Sequence, residues 1–184
     1  MADVPVAPRR AGAAARRGLI RVAVHDDWPA ILEVHRRAFV DEDIPRLVEG
    51  LRSGGYDVPS LSFVAEVGGS VVGNVMHSWV TVEGTDRRVL QLSPLGVLPE
   101  HQRQGHGSNL VRAALEGVRT FGEPLVLVEG NPAYYGRFGF VRADELGLRP
   151  PPPSPGWAFQ VAVLDESVSL PTGQVAYSPP FRDL

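Results

Sequence analysis

The chain has 184 residues, 43% hydrophobic and 21% charged, with a formal net charge of −3, which suits one globular domain with a substantial core and argues against a general nucleic-acid binder. It has no cysteine, so disulfides, thiolate metal sites and an acyl-cysteine intermediate are excluded, and no run reaches the roughly eighteen apolar residues of a membrane span. We therefore expect a cytoplasmic protein, monomeric or homodimeric, that binds neither nucleic acid nor membrane.

Residues 1–18 carry Ala, Arg, Pro and Gly with no periodicity and a single acid, which predicts a disordered tail before a domain over 19–184. An Arg- and Ala-rich start also suits a transit peptide, but no amphipathic face supports one. A strand is expected over Leu19–Val24, then a helix capped by Asp26 or Asp27, with Pro29 in its first turn and Trp28, Ile31, Leu32, His35, Ala38 and Phe39 on one face. A second helix follows with Ile44, Leu47, Val48 and Leu51 at helical spacing, stopped by Gly54-Gly55. Strands over Leu61–Val67 and Ser70–Val82 flank Gly68-Gly69, a hairpin signal, and Arg88–Val97 completes an antiparallel meander.

The stretch Leu90–Gly107 is the one the rest is arranged to present. Its strand breaks at Ser93-Pro94, resumes through Leu95-Gly96-Val97 and ends in a glycine-punctuated loop. From Gly107 onward Leu110, Val111, Ala114, Leu115, Val118 and Phe121 form a continuous helical stripe. The loop Gln102–Gly107 therefore sits at a helix N-terminus, where unpaired N–H groups and the helix dipole favour an anion and glycine lets a phosphate approach the main chain. A dinucleotide fingerprint is not met, because Leu110 stands where its third glycine belongs, and a Walker loop needs a lysine that this chain lacks.

Gly122 should stop that helix, and further on a buried strand is expected over Pro124–Glu129 and a short helix over Ala133–Arg137. The segment Pro150–Pro155 should be extended, as a stiff connector, an SH3-type ligand or a lid over an acceptor site. Two last strands, Ala158–Leu164 and Gly173–Tyr177, should pair antiparallel with the end of the sheet.

Gln102-x-x-Gly105-x-Gly107, following Leu95-Gly96-Val97-x-Pro99-Glu100, resembles the acyl-CoA signature of the GNAT superfamily of N-acetyltransferases. Asn131-Pro-Ala-Tyr-Tyr-Gly-Arg-Phe-Gly-Phe140 is similar to that family's strand-five exit, short helix and terminal Gly-Phe, and the likeness runs from about Leu19 to the C-terminus. The resemblance implies a single α/β domain with a mixed central sheet of about seven strands and helices on both faces. It further implies acetyl-CoA as co-substrate, no metal, and transfer to a small-molecule or peptide amine by direct attack in a ternary complex.

Carried onto this chain, the resemblance implies that Gln102, Arg103, Gln104, Gly105, His106, Gly107 and Ser108 hold the pyrophosphate, chiefly through backbone amides. Leu95, Gly96 and Val97 would line the pantetheine arm, with Leu95 and Val97 offering main-chain groups. Asn131 would bind the same arm, or merely cap the short helix. Tyr135 lies five residues before Phe140, the register of the family's proton donor to the departing thiolate, while Tyr134 would pack. A phenol near pKa 10 protonating a thiolate near 8.5 is uphill by about 2 kcal/mol, so the site must favour it. For the base that an alkylammonium needs, Glu129 at the end of its strand comes first and His77, mid-strand, second. His101 and His106 flank the loop without a cluster of acids, and no Gly-x-Ser-x-Gly elbow supports a serine hydrolase. Two other readings stay open: an acyl-CoA sensor without turnover, and a nucleotide-binding module using the loop alone.

Overall fold

The structure, a computed structural model, describes residues 18–183. The tail expected over 1–18 lies outside the described residues apart from Gly18. In chain order the elements are β1 (Leu19–Val22), α1 (Trp28–Ala38), α2 (Asp43–Ser53), β2 (Phe63–Val67), β3 (Ser70–Val82), β4 (Arg88–Val97) and α3 (His106–Phe121). They continue as β5 (Leu125–Glu129), α4 (Pro132–Tyr135), β6 (Val141–Arg142), β7 (Leu148–Arg149), β8 (Phe159–Val163) and β9 (Gly173–Ala176).

The main path of the sheet runs β1-β2-β3-β4-β5-β8-β6, with β9 on β3 and β7 on β9. All neighbours on the path are antiparallel except β4 and β5, which run parallel. The β2–β3 turn uses Gly68 and Gly69 at φ 59° and 83°, values a side chain rarely tolerates.

Alternation along the strands puts helices on opposite faces. Ala65, Val75, Leu90 and Leu92 pack with Leu110, Val111 and Val118 of α3, whereas Val64 and Met76 pack with Ile31 of α1 and Val48 of α2. A third cluster, around Leu125, Leu127 and Phe159, continues the core beyond β4. Gly122, at φ 94°, ends α3 and donates its N–H to Val118 and Arg119 carbonyls, as the stop signal implied.

Four local expectations need correcting. Asp27 does not cap α1 with its side chain. Its carboxylate instead takes both guanidinium arms of Arg21, at 2.6 and 2.8 Å, and the Val24 N–H, because a planar fork matches a carboxylate better than one amide does. The last strand, β9, does not extend the sheet beside β8. Since β2 covers β3 only up to Val75, the edge of β3 at Thr81 and Val82 is open, and Ala176 and Val175 pair there. The sheet gains two-residue strands, β6 and β7, too short to show periodicity. Finally, the proline segment is not extended: Ser154 N–H bonds Pro151 carbonyl at 3.0 Å, closing a turn whose φ requirement proline meets.

Two histidines are fully buried, each with one ring nitrogen bonded: His35 Nε2 to Asn74 Oδ1 at 2.9 Å, and His77 Nδ1 to Leu61 carbonyl at 2.8 Å. Burial lowers both from 6.5 to about 4. Because the folded value lies below the unfolded one, the stability is present above pH 6.5 and is lost as pH falls toward 4. The gap corresponds to about 3 kcal/mol for each ring, so the urea midpoint should drop steeply across that window. A midpoint that stays flat down to about pH 4 would show that the rings carry protons inside the fold.

Candidate active site

Two cavities lie on opposite faces of the sheet where β4 and β5 part. The strands pair only from Leu90↔Val126 to Leu92↔Val128. Just beyond, Val75↔Leu95 and His77↔Leu92 leave two intervals of β3 opposite three of β4, a bulge at Ser93-Pro94. The extra residue resets the alternation. Leu90 and Leu92 face α3 before the bulge, Leu95 and Val97 face it after, and Gln91 and Ser93 face the other way.

On the α3 face a cavity of about 540 Å³ is lined by Leu95, Val97, Gln102, Arg103, Gly105, Gly107 and Ser108, with Tyr134 and Arg137 opposite. The Leu98 N–H bonds Val72 of β3, so by antiparallel alternation the main-chain groups of Leu95 and Val97 point to the open edge. Gln102 Nε2 occupies the Val97 carbonyl at 3.0 Å. The first bond within α3 runs from Asn109 N–H to Gly105 carbonyl, which leaves the N–H groups of His106, Gly107 and Ser108 without intrahelical acceptors. Arg103 at φ 57° and Gly105 at φ 92° bend the loop into this position. A Cβ on Gly107 would sit 2.8 Å from the Tyr134 hydroxyl, so the approach to the helix start is kept open by glycine alone. Unpaired amides, two arginines and an open strand edge fit an elongated phosphate-bearing ligand with amide groups along its arm.

The other cavity, about 820 Å³, is lined by Gln91 and Ser93 of β4, Glu129 of β5, Tyr177 and Phe181, Ile44 and Leu47 of α2, and the turn Pro151–Pro155. Glu129 Oε2 accepts from the Tyr177 hydroxyl at 2.7 Å and from Ser154 Oγ at 2.9 Å. Burial, and then Glu129 itself, raise the Tyr177 phenol well above its ordinary value, so it remains a donor.

The predicted residues separate into groups. Leu95, Val97, Gln102, Arg103, Gly105, Gly107 and Ser108 line the smaller cavity and Glu129 the larger one. Gly96 faces α1, where a Cβ would lie 2.9 Å from His35 Nδ1, so it serves close packing. The Gln104 side chain bonds the Glu100 carbonyl, and the His106 ring is buried beside Gly18 and edge-on to His101. Asn131 Oδ1 accepts from Ala133 N–H at 2.9 Å and so caps α4. Tyr135 is buried with its ring against Gly130, the residue after Glu129, and edge-on to Phe140 at 5.6 Å. Its phenol is raised far above the ordinary value, by burial first and then by Tyr134. His77 lies beneath α3, bonded to Leu61 and away from the larger cavity. Among the described residues no group of three or more His, Asp or Glu could hold a metal ion, and no helix is long and apolar enough to cross a membrane.

Sequence reading missed Gln91, Ser154, Tyr177 and Phe181. Val175 and Tyr177 share one face in the structure, but nothing local tells that face to meet Glu129, 48 positions earlier.

Comparison with known proteins agrees with this geometry. The family described as acetyltransferase (GNAT) domain matches residues 19–143. The chain is 37% identical over 166 residues to the N-acetyltransferase YhbS of Escherichia coli K12, covering 89% of this chain and 98% of that protein. The crystal structure of YhbS in complex with CoA is similar with a TM-score of 0.84 at 36% identity, over 90% of this chain and 92% of that one. A GNAT family acetyltransferase from Brucella melitensis, in complex with acetyl-CoA, gives a TM-score of 0.73 at 28% identity, over 90% and 99% of the two chains. With its parallel pair parting above a glycine-lined helix start, the chain belongs to the GNAT family of acetyltransferases.

Proposed function

We propose that the protein transfers an acetyl group from acetyl-CoA to an amine by direct attack, with the donor in the smaller cavity and the acceptor in the larger. The observation that carries this is that Leu95 lines one cavity and Ser93 the other, so the two sites meet across the bulge of β4. Acetyl-CoA supplies an activated thioester carbonyl; the rest falls to this chain. The loop amides at His106, Gly107 and Ser108, with Arg103 and Arg137, take the phosphates, and the open edge at Leu95 and Val97 takes the arm. Glu129 accepts the proton that leaves the attacking amine as the N–C bond forms and the C–S bond breaks. Its bonds to Tyr177 and Ser154 fix where it does so.

Tyr135 then donates toward the departing sulfur. Burial raises its phenol further, so full proton transfer is more uphill than the free values imply. The hydroxyl acts as a hydrogen-bond donor to the sulfur, which takes its proton from solvent, and the ring rests over Gly130, the residue after Glu129. Tyr135→Phe should lower kcat by about 10²-fold with little change in acetyl-CoA affinity, the usual cost of removing one hydrogen-bond donor to charge that develops in the transition state. Tyr134→Phe removes a hydroxyl from the wall beside Gly107 and should raise the acetyl-CoA KM instead. The reverse pattern would exchange the two roles.

Thiol release from acetyl-CoA across an amine panel tests the reaction itself. Direct attack requires intersecting double-reciprocal lines. Parallel lines would reject it, and tight CoA binding with no turnover of any amine would favour a sensor.

A further inference from the structure

Resting on the acetyl-transfer reading, we propose that the larger cavity selects an aliphatic diamine or polyamine: an acceptor with a second ammonium group and no carboxylate of its own. Three features of the wall carry this. The first is charge: Glu129 and, at the rim, Glu83 line the cavity, whereas among the described lining residues there is no arginine. The donor cavity, by contrast, presents Arg103 and Arg137. An acceptor bearing a carboxylate would meet two like charges and, among the described lining residues, no cation.

The second is an unpaired acceptor. Gln91 is only 2% exposed, yet its carbonyl oxygen has no hydrogen-bond partner, while its amide lies against the Tyr177 hydroxyl. A buried carbonyl left without a donor is destabilising, and an ammonium, which only donates, is a ligand that can relieve it. The third is the apolar remainder. Ile44, Leu47, Val175 and Phe181 suit methylene segments, and the Phe181 ring, 4.8 Å from that of Tyr177, adds an aromatic face that attracts cations. At about 820 Å³ the cavity is also far larger than a short monoamine needs. The reacting nitrogen then sits at Glu129 and the second at the Gln91 carbonyl, with Glu83 adding negative charge further along the wall.

The test is calorimetric titration of the full chain, saturated with CoA, with three six-carbon probes that differ only at one end: hexamethylenediamine, hexylamine and aminocaproate. The diamine should bind about tenfold tighter than hexylamine, the usual size of a charge-assisted contact, and aminocaproate should bind weakest. Gln91→Met should collapse the diamine preference toward unity, and Glu83→Gln, at an exposed position further along the wall, should reduce it. Aminocaproate or hexylamine binding as tightly as the diamine overturns the proposal, as does a preference unchanged in both variants. Turnover with acetyl-CoA reads the parent function separately. Diamine binding without acetylation would reject acetyl transfer and leave the selectivity standing. Preferential acetylation of aminocaproate would reject the selectivity and leave transfer standing.

Discussion

Glu129→Gln should lower kcat/KM for an alkylamine by about 10²–10⁴-fold, the usual contribution of a general base. The substitution is isosteric, and its carbonyl oxygen can still accept from the Tyr177 hydroxyl and Ser154 Oγ, so the wall of the cavity is kept while the proton acceptor is lost. An alkylamine near pKa 10 is almost wholly protonated at neutral pH and depends on that acceptor. A weakly basic amine that is already neutral does not. The deficit should therefore shrink toward unity with trifluoroethylamine or hydrazine, while acetyl-CoA affinity stays unchanged. A deficit of equal size for strongly and weakly basic amines would mean that Glu129 positions the acceptor and takes no proton.

Gly107→Glu should weaken CoA binding by about 10²–10³-fold, from two effects that reinforce one another. A carboxylate in the first turn of α3 occupies the place where the helix dipole and free amides would hold a phosphate, replacing attraction by repulsion worth up to about 2 kcal/mol. The side chain also needs space that is not there, since its first carbon would lie 2.8 Å from the Tyr134 hydroxyl and must displace that ring. Calorimetry with CoA measures the loss, and a circular-dichroism melt confirms that the variant is folded. CoA affinity within threefold of wild type in a folded variant would remove the phosphate from this loop.

Much of this was legible because its causes are local. The α3 stripe, the Gly68-Gly69 turn and the stop at Gly122 each follow from side-chain spacing or from a φ that glycine favours, and each stands where expected except that Phe121, the last member of the stripe, is exposed. The break at Ser93-Pro94 was likewise visible, since proline removes a ladder donor. What it accomplishes was not. Resetting the alternation so that Leu95 and Ser93 open onto different cavities is a property of three strands at once.

The sequence by itself determined the donor side. Strand edge, glycine loop and helix start are contiguous in the chain, so short-range geometry is enough to build a phosphate cradle there. Only the tertiary structure decided the acceptor side, because its wall is drawn from α2, β4, β5, the proline turn and the residues after β9. Tyr177 reaches Glu129 because β9 returns to the one stretch of β3 that β2 leaves unpaired. That return is dictated by backbone groups seeking partners across more than ninety residues, and pairing at that range leaves no periodicity or spacing for a single sequence to display.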